Sequence, residues 1–203
     1  MVKTKIAVLV SGGGTNLQAL LDAQAAGKIP HGEIVLVVSN KEGAFALTRA
    51  EKAGVNTAVI VGKDFEARLM EVLQSNGIQM IVLAGFMKIL SGNFTSQWPE
   101  RILNIHPALI PSFCGPGYYG LRVHEEALRY GVKLSGATVH FVSEECDGGP
   151  IIAQRAVEVR PDDTPEVLPK RIMEQAEWRL LPDAVRLFCE DRITVEGRTV
   201  IIH

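Results

Sequence analysis

The sequence predicts an α/β fold: a doubly wound, mostly parallel sheet, completed by a C-terminal part with antiparallel strands and a long helix. Two observations predict it. Short runs rich in Val and Ile alternate with segments of helical periodicity up to residue 106, the rhythm of a parallel sheet covered on both faces. Beyond residue 107 the rhythm gives way to a Pro- and Gly-rich loop, two longer strand-like runs and one extended helical stretch. At 203 residues, 47% hydrophobic and 22% charged, the chain suits a single domain, 1–203, with a sizeable core.

Taken in order, strands are expected over 6–10, 34–38, 57–61, 78–84 and 102–105, with helices over 16–26, 44–53 and 65–76 and a shorter piece near 93–98. The first apolar run is too short for a signal-peptide core and ends in glycines, so it reads as a strand. Thr15 followed by Gln18 has the form of a capping box, which starts the first helix at Thr15 or Asn16. A loop carrying Pro107, Pro111, Gly115, Pro116, Gly117 and Gly120 then precedes a helix over 123–129; irregular loops this long inside a compact domain are usually functional. Residues 137–142 and 151–159 read as strands joined by SEECDGGP, residues 165–191 as a long helix, and 193–195 with 199–202 as two short strands turning at Glu196 and Gly197.

The composition narrows the function. With a net charge of −2 there is no broad basic field of the kind that binds nucleic acid. No stretch approaches the roughly 20 apolar residues that cross a bilayer. Cys114, Cys146 and Cys189 are odd in number and widely spaced, which suits neither a disulfide framework nor a CxxC metal site, and free thiols fit a cytoplasmic protein.

In VLVSGGGTNLQAL a strand-like run meets a helix through Gly12, Gly13 and Gly14. Bare backbone at a helix N-terminus suits a phosphate, because N–H groups approach it closely. A tight structural turn is the other reading. No lysine follows Gly14 as a Walker A loop requires, and Leu17 breaks a dinucleotide fingerprint, which disfavours a nicotinamide cofactor. In RILNIHPALIPSF, Asn104 and His106 lie two apart and share one strand face, and Pro107 ends the strand after the histidine. An amide and an imidazole side by side can both donate to a carbonyl becoming an oxyanion. Asp147, in ECDGGP, sits in a turn that can hold a carboxylate at the edge of a site. Beside His106 it would raise the imidazole pKa and orient the ring.

The ordered set SGGGTNLQAL, SNK, LAGFMKIL, NIHPALIPSF, VHEEAL, SGATVHFV and DGGPII resembles the phosphoribosylglycinamide formyltransferase family, over nearly the whole chain. The resemblance implies a Rossmann-like formyltransferase fold, with a nucleotide-phosphate half over 1–106 and a folate-binding and catalytic half over 107–203. It implies Asn104, His106 and Asp147 as the catalytic trio, and Gly12, Gly13, Gly14, Thr15 and Asn16 as the site for a ribonucleotide 5′-phosphate. Glu177 aligns with an acid that holds the glycinamide end. The co-substrate implied is 10-formyltetrahydrofolate, lying near Asn104 and against Met87, Lys88, Ile89 and Leu90, with Arg68 near its tail. Lys88 stands where many members carry arginine, His124 is carried over with its motif, and the loop 112–122 is longer than the shortest family versions.

The implied reaction is direct formyl transfer to the amine of glycinamide ribonucleotide. Asn104 and protonated His106 steady the oxyanion, and Asp147 with water moves the proton. No metal is expected, since His31, His106, His124, His140 and His203 lack compact ligand spacing. The expected partners are small molecules only, and the expected state is a monomer or homodimer. A formyltetrahydrofolate hydrolase or a nicotinamide-dependent reductase is the alternative. A hydrolase is expected to carry a further N-terminal domain, and a methionyl-tRNA formyltransferase a further C-terminal one, for which 203 residues leave no room.

Overall fold

The structure, a computed structural model, describes residues 2–203. In chain order the elements are β1 (Thr4–Val10), α1 (Thr15–Ala25), β2 (Gly32–Ser39), α2 (Phe45–Lys52), β3 (Asn56–Val59), α3 (Phe65–Ser75), β4 (Met80–Leu83), the short α4 (Gly92–Thr95) and β5 (Ile102–His106). There follow α5 (Leu121–Tyr130), β6 (Leu134–Phe141), β7 (Ile151–Glu158), α6 (Leu168–Ile172), a π-helical turn (Met173–Glu177), α7 (Trp178–Cys189) and a hairpin of β8 (Ile193–Glu196) and β9 (Thr199–Ile202). Seven strands form one sheet in the order β3-β2-β1-β4-β5-β6-β7. The first five are parallel, and β6 and β7 add on antiparallel.

Strand β1 shows why this sheet forms. Ile6, Val8 and Val10 face one core and Ala7 and Leu9 the other, so the period-two alternation buries every residue of an unbroken apolar run. Leu17, Leu20, Leu181 and Val185 of α1 and α7 cover the first face; Phe65, Leu69 and Leu73 of α3 cover the second. Each such fully buried side chain contributes roughly 1.5–3 kcal/mol of burial free energy. Order reverses at β1, whose neighbours are β2 and β4, and the loops leaving β1 and β4 diverge there to open a cleft.

Three sequence expectations are corrected. No capping box forms: Gly14, left-handed at φ 72°, is the N-cap of α1, Thr15 is already inside the helix with its hydroxyl toward Met173 Sδ at 3.5 Å, and Gln18 turns to Asp22 at 2.9 Å. A capping side chain must precede the first helical residue, and glycine holds that place. The long helix begins only at Leu168 and is interrupted by the π turn, directly before the stretch that contains Pro182, which has no N–H to donate. Strand β3 stops at Val59, two residues early. Among the described residues no helix is long and apolar enough to cross a membrane.

Candidate active site

A cavity of about 660 Å³ opens at the carboxyl ends of β1, β4 and β5. It takes Gly12, Thr15 and Asn16 from the glycine turn, Met87 to Leu90 from the loop after β4, Asn104 and His106 from β5, and Asp147 and Glu177 from the C-terminal half. Ser11 ties the two diverging loops together: its hydroxyl donates to Asn40 Oδ1 at 2.7 Å and accepts from the Met87 N–H at 2.8 Å.

Asn104 and His106 do project together, and Asp147 meets them from the loop after β6. Asn104 Nδ2 lies 3.5 Å from Asp147 Oδ1, and His106 Nδ1 lies 3.6 Å from Asp147 Oδ2. Asp147 is itself left-handed at φ 55°, and Gly149 behind it passes so close to the Phe141 carbonyl that a Cβ there would collide with it, which is why that position is glycine. His140 joins the cluster. It pairs across the sheet with Asn104, its Nδ1 donates to the Phe141 carbonyl at 2.8 Å, and its Nε2 lies 3.1 Å from Asn104 Nδ2 and 3.6 Å from Asp147 Oδ1. The alternating run TVHFV fixes which of its neighbours share a face with His140, but only the antiparallel register with β5 sets that residue opposite Asn104.

Burial pushes Asp147 up, but His140, His106 and the Gly115 N–H, 2.9 Å from Oδ2, outweigh it and hold the carboxyl below its ordinary range. His106 is the reverse: Asp147 pulls the imidazole up, as expected, but the net shift is downward. Its ring is 5% exposed, burial dominates, and the pulls of Asp147 and of the Phe113 carbonyl are smaller, so the pKa is lowered and the neutral ring is favoured. Burial also lowers His124, whose Nδ1 has no partner, to about 4. At the opposite wall, Glu177 is 6% exposed and accepts from Asn16 Nδ2 at 2.6 Å, while burial raises it to about 7.

The apolar wall is present. Met87 and Ile89 are 46% and 66% exposed at the cavity mouth, above buried Leu90, and offer a flat ligand surface to cover. Lys88 also lines the cavity, its ammonium 5.3 Å from the Phe65 ring centroid. Gly13 stands free beside the cavity, and Gly14 is turned away into α2. Arg68 is not brought in: it is exposed on α3, donating to the Val61 carbonyl at 3.2 Å. Tyr118 and Tyr119, from the long loop, are further lining residues that the sequence reading left unassigned. Among the described residues no group of three or more His, Cys, Asp or Glu is placed to hold a metal.

A doubly wound sheet whose switch-point cleft holds an amide, an imidazole and an ionised carboxylate, between a bare glycine turn and an apolar wall, defines a Rossmann-like enzyme that transfers an acyl-type group between small molecules. The chain belongs to the formyl transferase family, whose sequence model matches residues 4–185. It is 46% identical over 201 residues to the trifunctional purine biosynthetic protein adenosine-3 of Gallus gallus, a match that covers 95% of this chain but only 19% of that longer protein. The phosphoribosylglycinamide formyltransferase of Haemophilus influenzae is 42% identical, with 95% of this chain and 90% of that one covered. The crystal structure of glycinamide ribonucleotide transformylase 1 from Symbiobacterium toebii superposes with a TM-score of 0.91 at 44% identity, over 98% of this chain and 94% of that one.

Proposed function

We propose that the protein transfers the formyl group of 10-formyltetrahydrofolate to the amine of glycinamide ribonucleotide, giving formylglycinamide ribonucleotide and tetrahydrofolate in purine synthesis in the cytoplasm. The observation that carries this reading is the convergence of Asn104, His106 and Asp147 within 3.6 Å in a cavity that holds the Asn16–Glu177 pair at its other wall. Residues 1–106 supply the phosphate turn, the apolar wall and two catalytic side chains, and residues 107–203 supply Asp147 and Glu177.

In this reading the N–H groups about Gly12, Gly13 and Thr15 take the substrate phosphate, with Gly14 and Asn16 shaping the turn. Glu177 and the Asn16 Oδ1, which is buried without a partner, accept hydrogen bonds from the glycinamide end. Met87, Ile89 and Leu90 receive the apolar rings of the folate, and Lys88 is the cation nearest its acidic tail; Arg68 would have to leave Val61 to share that role. The amine nitrogen forms a bond to the formyl carbon, and the carbonyl oxygen gains the charge. Asn104 donates to it, and His106, taking up a proton from solvent as the oxyanion develops and returning it when the intermediate collapses, balances it. Asp147, through water, moves the amine proton toward the folate nitrogen as the old C–N bond breaks.

The test is to count formate and formylated ribonucleotide produced from 10-formyltetrahydrofolate with and without the amine. One formylated product per folate consumed is expected, with formate nearly absent when the amine is withheld. Comparable formate release in both cases would replace the transferase with a hydrolase.

A further inference from the structure

Between β5 and α5 the long loop touches both catalytic side chains with its backbone. The Phe113 carbonyl accepts from His106 Nε2 at 2.8 Å, and the Gly115 N–H donates to Asp147 Oδ2 at 2.9 Å. Phe113 holds a left-handed backbone, φ 50°, which a bulky residue adopts only where its surroundings impose it. The surroundings are aromatic. Its ring packs edge-on against Tyr118, with centroids 6.4 Å apart, and against Tyr130, at 6.1 Å. Tyr130 is the last residue of α5, 77% exposed and absent from the cavity lining.

We propose that Phe113, bracketed by Tyr118 and Tyr130, is a positioning residue for His106: its carbonyl holds the Nε2 proton and so dictates that Nδ1, facing Asp147, is the nitrogen that gains and loses charge. The groups facing His106 are the Asp147 carboxylate from the loop after β6, His140 from β6 and His124 from α5. Asp147 favours the imidazolium and His140 opposes it. Only the carbonyl is governed from outside the cavity. Without it the ring is free to flip, the tautomer is no longer selected, and the imidazolium loses an acceptor. The pKa of His106 then falls further, and a step that needs the charged ring fades at a lower pH.

The kinetic part of this proposal rests on the formyl-transfer reading; the titration part does not. The experiment compares Tyr130→Ala, Phe113→Gly, in which glycine accepts the left-handed backbone, and Tyr130→Phe, which keeps the edge contact. Imidazole titrations are followed by NMR in the free protein, with kcat against pH and both KM values alongside. The first two variants are expected to move the His106 titration and the high-pH limb of kcat to lower pH, with kcat down about tenfold and the ribonucleotide KM within about twofold. Tyr130→Phe is expected to match the parent. An unmoved His106 titration in both disruptive variants, folded by thermal melt, would overturn the proposal, as would a fall in kcat with an unshifted pH limb. If the parent transfers no formyl group, the proposed function fails, and the NMR titration alone still decides whether Phe113 positions His106.

Discussion

The Asn16 amide and the Glu177 carboxyl, 161 positions apart in sequence, meet at 2.6 Å in the cavity wall, and burial there lifts Glu177 to about 7. Between the ordinary value of 4.5 and about 7 the unfolded chain has lost this proton while the folded chain keeps it, so the group makes stability fall as pH rises through that window. Glu177→Gln has no proton to lose. Its Tm, relative to the parent, is expected to gain about 5 °C between pH 5 and pH 8. A difference that stays flat across that range would mean the carboxyl is not buried in its neutral form.

His106→Ala and Asp147→Asn are expected to lower kcat by at least about 100-fold while leaving both KM values within a few-fold, because groups that act on developing charge contribute mainly in the transition state. Turnover near the parent's in both folded variants would remove these residues from the chemistry.

Gly13 and Gly14 are neighbours with opposite expectations. A side chain at Gly13 meets nothing within 4 Å, so Gly13→Asp should fold normally and raise the ribonucleotide KM far more than the folate KM, by placing an anion at the turn proposed to take the phosphate. At Gly14 a Cβ would stand 2.6 Å from the Ala46 Cβ on a left-handed backbone, so Gly14→Ala should destabilise the fold by about 2 kcal/mol or more, seen as a lower melting temperature. If Gly13→Asp weakened both substrates equally, the phosphate would have to lie elsewhere.

Much of this was legible in the sequence because it is local. Apolar runs of period two and helical stretches mark β1 to β5 and their helices, and the two-residue spacing of Asn104 and His106 puts them on one face whatever the rest of the chain does. Asp147 was legible as a carboxylate held in a turn but its partners were not, and Glu177 was reachable only through its resemblance to a family pattern, since nothing in a turn or a helical stretch says what it will meet. The tertiary structure decided the remainder. The antiparallel register sets His140 opposite Asn104, and the packing of α3 leaves Arg68 outside the cavity. The sign of the His106 shift was likewise out of local reach. The sequence names its attractive partner, Asp147, but not how deeply the folded chain buries the ring, and that burial outweighs the attraction.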